Sequence, residues 1–207
     1  REHGVDLRLG VGVKALSGTR IELTDGTRIE ADLVVAALGA VPNSEWLGAA
    51  GGVACDATLT TLEDPDVLGA GDVISWPHPL ANGEQVRVEH WTTAAEHGQL
   101  AGKNALLPHH ERAPHALPPY FWSDQYDVKI QAVGFPARAE RLEILESEGN
   151  RFVAAGERGG RLVGVVAFNA AKRLGWYRRQ LPELPSFEHI RSVVAADEKA
   201  LGATVAA

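Results

Sequence analysis

The stretch from Thr61 to Val73, TLEDPDVLGAGDV, constrains the chain most. It reads as a loop, a short apolar strand at Val67 and Leu68, and a turn through Gly69-Ala70-Gly71 that ends on Asp72. Small residues at 69–71 leave little side chain in the way, so a ligand or a second backbone segment can come close. A carboxylate at the end of such a strand can accept hydrogen bonds from ligand hydroxyls. The same spacing also suits a plain strand-to-helix turn with a capping Asp.

The 207 residues are enough for one large or two ordinary domains with real cores. A hydrophobic content of 45% with 23% charged residues is that of a globular chain. The net charge of -7 argues against general nucleic-acid binding. No apolar run approaches the ~20 residues needed to cross a bilayer, and no charged-then-apolar leader marks secretion. A lone cysteine, Cys55, excludes a disulfide framework and a Cys-rich metal site. A cytoplasmic location is the simplest reading. Methionine is absent, and the chain opens at Arg1 in what reads as the middle of a domain, so the expectation is the C-terminal part of a longer protein.

Residues 1–38 read as strands. VDLRLG and VGVKAL alternate, Ser17-Gly18 marks a turn before TRIEL, and Asp25-Gly26 is a hairpin turn that tolerates positive φ. The run LVVAAL after Asp32 suits a buried central strand, ended by Gly39 and Pro42. A short helix is expected around Glu45–Ala50, then a Gly-Gly break and a weak strand through Ala57–Thr61. Asp56 beside Cys55 raises the thiol pKa, which makes Cys55 structural or exposed rather than reactive. The segment SWPHPLANGEQ has the composition of a surface loop. Thr93 with Glu96 fits a capping box, so the best helical pattern begins near Trp91–Thr93. His109, His110 and His115 sit in a Pro-rich stretch with poor metal spacing and read as solvated linker. Beyond it, four or five strands with hairpin turns predict an antiparallel sheet, followed by a basic helix from Ala170 to Leu181 and a loose helix after Pro185.

Four motifs occur in a telling order: strand-Gly-Ala-Val-Pro-Asn at 39–43, Gly71-Asp72, VEHW at 88–91 and PYFWSDQYD at 119–127. Together they resemble the FAD-dependent NAD(P)H:ferredoxin reductases of oxygenase and P450 systems, flavoproteins with two dinucleotide-binding domains. The resemblance reaches to about Leu181. It implies an α/β segment made of the end of the NAD(P)H domain (1–38) and the second segment of the FAD domain (39–113). An α+β C-terminal domain with a mainly antiparallel sheet (117–184) and a tail (185–207) would follow. It implies that Asp72, in the turn Gly71-Asp72-Val73, holds a ribityl hydroxyl of FAD. His90 and Trp91 would touch the isoalloxazine ring, and Trp122 would face the flavin where the nicotinamide docks and shape that catalytic site. No resident metal is implied. The parent would pass electrons from NAD(P)H through FAD to a [2Fe-2S] ferredoxin.

A G-x-G-x-x-G following a strand is absent, while the family carries two, both N-terminal to the material here. The fragment alone is therefore expected to bind flavin poorly and to be inactive. The alternatives are a disulfide reductase or NADH oxidase of the same fold, or a truncated non-catalytic module; FWSDQ favours the ferredoxin-reductase branch. Lys172, Arg173, Arg178 and Arg179 lie in the acid-free segment NAAKRLGWYRRQLP. On a helix, 172, 173 and 179 gather on or beside one face and 178 lies close to 172. They form either a docking patch for an acidic ferredoxin or a solvated face whose arginines cover apolar surface.

Overall fold

The computed structural model describes residues 3–204, with side chains as far as residue 197. Two compact units divide between Ala40 and Val41. The first is a meander of three antiparallel strands: β1 (Val13–Ser17), β2 (Arg20–Leu23) and β3 (Arg28–Glu30). The Asp25-Gly26 hairpin forms as the sequence predicts. Gly26 takes φ of 84°, and Asp25 Oδ1 accepts from the Thr27 N–H at 2.8 Å. Cross-strand ion pairs, Lys14 with Glu22 and Arg20 with Glu30, line the exposed faces. Exposed pairs of this kind contribute about 1 kcal/mol at most.

The expected central strand LVVAAL does not form. Residues 33–38 carry no strand, and Leu33, Val35 and Leu38 are exposed. An apolar run becomes a central strand only with neighbours on both edges and layers on both faces. No strand among the described residues pairs with it. VDLRLG likewise remains outside the sheet.

The second unit holds two cores. Around Cys55, Leu59, Ile74, Trp76, Ala81, Val86 and Val88 lies a small three-stranded sheet. In it, β4 (Val53–Ala54) runs parallel to β5 (Ile74–Pro77), and β6 (Gln85–Val86) pairs β5 antiparallel. Helix α1 (Trp91–Asn104) follows. The other core sits under a five-stranded antiparallel sheet of order β7-β8-β11-β10-β9. Its strands are β7 (Tyr120–Gln125), β8 (Val128–Gly134), β9 (Arg141–Glu148), β10 (Arg151–Arg158) and β11 (Arg161–Phe168). Gly159 and Gly160, at φ of 56° and 75°, make the tight β10–β11 turn that two positive-φ residues allow. Helices α2 (Ala171–Gln180) and α3 (Phe187–Thr204) supply Leu174, Tyr177, Ile190 and Val194 to this core.

Several local expectations need correction; neither Val67-Leu68 nor Ala57–Thr61 forms a strand, and only the isolated bridges Thr60–Leu68 and Cys55–Thr61 occur there. SWPHPLANGEQ is only in part a surface loop: its first residues complete β5, Trp76 and His78 are fully buried, and Leu80 and Ala81 of the 3-10 turn that His78 caps are buried as well. Thr93 does not cap α1; it lies inside the helix, buried, and the N-cap is His90, without a side-chain cap bond. Residues 45–47 form a single 3-10 turn rather than a helix, ended by Gly48 in the left-handed region. His109 and His110 are exposed, but His115 is buried, since the Pro-rich stretch is tied down. Asn104 donates to the carbonyls of Thr58 and Ala113 at 2.9 Å, and the His115 N–H donates to Ala57 O at 2.7 Å.

Candidate flavin-facing surface

The Gly69–Val73 segment folds as a tight approach to α1. At φ of 76°, Gly71 starts a 3-10 turn, Gly71–Val73. A Cβ built there would lie 3.4 Å from the Ala94 Cβ, so the turn sits against the first turns of α1. The Gly71 N–H donates to His97 Nδ1 at 3.3 Å in a buried setting. Asp72 itself is exposed, its carboxylate open to a ligand.

His90 ends the strand-like approach to α1 and is half-buried. Burial lowers its pKa, and the Asp72 and Glu89 carboxylates pull the other way. That places His90 within electrostatic reach of Asp72. Its ring lies 5.4 Å from that of Phe121 on β7, and its Nδ1 is buried with no partner among the described residues. Trp91 opens the helix and is 83% exposed. With no side-chain cap, the first N–H groups of α1 present the partial positive charge of a helix N-terminus beside these residues.

β7 divides its aromatics by strand alternation. Phe121 meets His90 on one side. Trp122, 44% exposed, lies on the other and stacks on Tyr120 at 5.9 Å. Thus Gly71, Asp72, Val73, His90 and Phe121 come together, Trp91 stands exposed at their border, and Trp122 belongs to the opposite face of β7. Phe121 and His97 were not among the sequence-derived candidates. The available signals were strand alternation beside Trp122 and the seven-residue spacing of His90 and His97, which puts both on one helix stripe.

The donor set fits a flavin: a close-approach turn with an exposed carboxylate, an orphan ring nitrogen at His90, exposed aromatic surface and an uncapped helix N-terminus. No group of His, Cys, Asp and Glu among the described residues could hold a metal ion. Burial, then the Asp56 charge, pushes the Cys55 thiol up to about 11, so it stays protonated near neutral pH.

The basic helix is less free than its sequence suggests. Arg173 pairs with Glu146 and Asp197, and Arg178 donates to Glu96 at 2.8 Å while its guanidinium lies 5.5 Å from the Tyr120 ring. Among the described residues no carboxylate pairs with Lys172 or Arg179, and both are exposed. The acids come from other elements, which is why an acid-free helical segment did not reveal them.

Two family models match the chain: "Pyridine nucleotide-disulphide oxidoreductase" over residues 1–98 and "Reductase C-terminal" over residues 120–200. The chain is 35% identical to the ferredoxin reductase subunit of the 5,5'-dehydrodivanillate O-demethylase of a Sphingobium species, covering 83% of this chain and 44% of that protein. It is 30% identical to the ferredoxin--NAD(+) reductase component of the p-cumate 2,3-dioxygenase system of Pseudomonas putida, over 91% of this chain and 47% of that one. Among solved structures, the ferredoxin reductase for the CYP199A2 system from Rhodopseudomonas palustris superposes with a TM-score of 0.75 at 30% identity, over 86% of this chain and 45% of that chain. The chain therefore spans just under half the length of the relatives it matches.

Proposed function

We propose that the chain, matched over residues 1–98 by the pyridine nucleotide-disulphide oxidoreductase model and over 120–200 by the reductase C-terminal model, is the C-terminal part of a flavoprotein passing electrons from NAD(P)H through FAD to a [2Fe-2S] ferredoxin. The carrying observation is the Gly71–Asp72 turn, seated on α1 beside His90 and Phe121, with Asp72 open. Residues 1–38 then end the NAD(P)H domain, 39–113 form the second segment of the FAD domain, 117–184 the C-terminal domain and 185–207 its tail.

FAD, when bound, supplies a hydride acceptor that can release electrons one at a time. The chain's own residues bind and orient. Asp72 accepts from ribityl hydroxyls, His90 and Trp91 pack at the ring, and the α1 N-terminus favours added negative charge there. Trp122 shapes the nicotinamide site from the other face of β7. No acid-base side chain is required, because position and flavin electronics carry the hydride step. No helix among the described residues is long and apolar enough to cross a membrane. A cytoplasmic location fits this role.

An acidic ferredoxin would dock at Lys172 and Arg179, which pair with no carboxylate among the described residues, since complementary charge accelerates encounter. Arg173 and Arg178 are already committed to carboxylates within the chain. In the full-length enzyme, reversing Lys172 and Arg179 to Glu slows NAD(P)H-dependent ferredoxin reduction most at low ionic strength. The deficit shrinks as added salt shortens the Debye length below about 10 Å. Reduction of a small artificial acceptor stays normal. Equal ferredoxin rates at low salt would remove the patch from docking, and no ferredoxin reduction by the wild-type protein would remove the function.

A further inference from the structure

Helix α1 meets the Gly71–Asp72 turn with one stripe. Residues 90, 94 and 97 are three, four and seven apart and so share a face. His90 lies within the field of Asp72, Ala94 touches the space above Gly71, and His97 accepts the Gly71 N–H. The His97 ring is wholly buried and held edge-on from two sides. Trp76 lies 4.3 Å away at 89°, and His115 lies 4.4 Å away at 85°. In this packing Nδ1 faces the turn and takes the ring's hydrogen bond, while Nε2 is buried with no hydrogen-bond partner among the described residues.

We propose that His97 is the positioning residue that fixes the Gly71–Asp72 turn, and through it the carboxylate that holds the flavin. This rests on the flavin reading of Asp72 given above. The backbone N–H of Gly71 would otherwise be an unpaired donor in a buried site, and the positive φ of Gly71 would lose the bond that selects it. Accepting at Nδ1 requires the neutral ring with its proton on Nε2. Burial keeps the ring in that form, pushing its pKa down to about 4. His97 has a neighbour with a parallel task. Glu96, one residue earlier, receives Arg178 from α2, so consecutive residues of α1 hold the turn and the basic helix.

Asparagine separates this role from mere packing, because its Oδ1 stands as far from Cβ as the histidine Nδ1 does. In the full-length apoenzyme titrated with FAD, His97→Leu, which fills space without an acceptor, weakens binding by about tenfold. His97→Asn stays within about threefold of wild type. In the Asp72→Ala background, His97→Leu costs less than about twofold more, since both changes act on one contact and their effects are not additive. Should His97→Leu fail to fold, His97→Ser is read in its place, its hydroxyl being too short to reach the Gly71 N–H. Unchanged FAD affinity in the acceptor-less variant, equal loss in the Asn and Leu variants, or full additivity with Asp72→Ala would each overturn the proposal. If Asp72→Ala alone leaves affinity unchanged, the flavin reading of the turn falls and the inference with it. If Asp72→Ala weakens binding and His97→Leu does not, only the inference falls.

Discussion

The two units of the chain use similar sequence in opposite ways. Before residue 41, Leu7, Leu9, Leu33, Val35 and Leu38 are exposed, and Leu23 is the one buried hydrophobic residue among those described. After it, runs that look no more apolar bury Trp76, Tyr177, Leu162 and Ile190 completely. The meander of β1, β2 and β3 has hydrogen bonds and ion pairs but no second layer, and three strands bury little without one. The second unit has helices on its sheet, so the same residue types find partners. Strand pattern reports how a segment can pair; burial depends on what covers it.

The largest test of this contrast is acid. His78 and His97 are fully buried, with pKa values lowered to about 4 chiefly by burial, against 6.5 in an unfolded chain. Their neighbours on the packed elements are His115 and Glu96. Because the folded-state values are depressed, the unfolded state binds protons first as pH falls. Stability from the neutral rings is complete above pH 6.5 and is lost between 6.5 and 4. The loss is on the order of 3 kcal/mol per ring. The first unit holds no buried histidine. Its Asp25, kept below the usual carboxylate value by the Thr27 N–H, loses that support only as pH drops below 3.8. Chemical denaturation at pH 7 and pH 4.5, read by tryptophan fluorescence, should show the loss in the second unit. A flat midpoint across that window would show that the rings titrate normally and are not sealed.

Next in size is truncation of the shared centre of the histidine cluster. Trp76→Ala costs about 3–5 kcal/mol by denaturant unfolding, because it empties the space between His78, His97 and His115. The smallest effect is expected at Leu38, 92% exposed in the first unit. Leu38→Ala in the 207-residue chain stays within about 0.5 kcal/mol. A large cost there would mean that residues 33–38 are covered after all, and the contrast between the units would dissolve.

Much of this architecture was legible in the sequence, for reasons that name its limits. The five-stranded antiparallel sheet, α1 and α2 follow from alternation, turn glycines and helical periodicity, all local signals. The failures are nonlocal. LVVAAL has the composition of a central strand but no strand beside it. SWPHPLANGEQ has the composition of a loop, yet the core needs Trp76 and His78. Arg173 and Arg178 look free within their helix, but Glu146, Asp197 and Glu96 reach them from β9, α3 and α1. At the candidate site, motif order pointed to Gly71, Asp72, Val73, His90, Trp91 and Trp122. Phe121 lies inside PYFWSDQYD but was assigned no role there, His97 lies outside every motif, and the parts both play beside His90 and the turn emerged only from packing.

The central claim is that the surface around Asp72, His90 and Trp91 meets the flavin in the full-length protein. Hydroxyl-radical footprinting of the full-length apoenzyme and of the same protein loaded with FAD tests it most directly. Trp91, 83% exposed here, should be oxidised readily in the apo form and protected once FAD is bound. Lys172 and Arg179 on α2 should react equally in both forms. Equal oxidation of Trp91 with and without stoichiometric FAD would contradict the account.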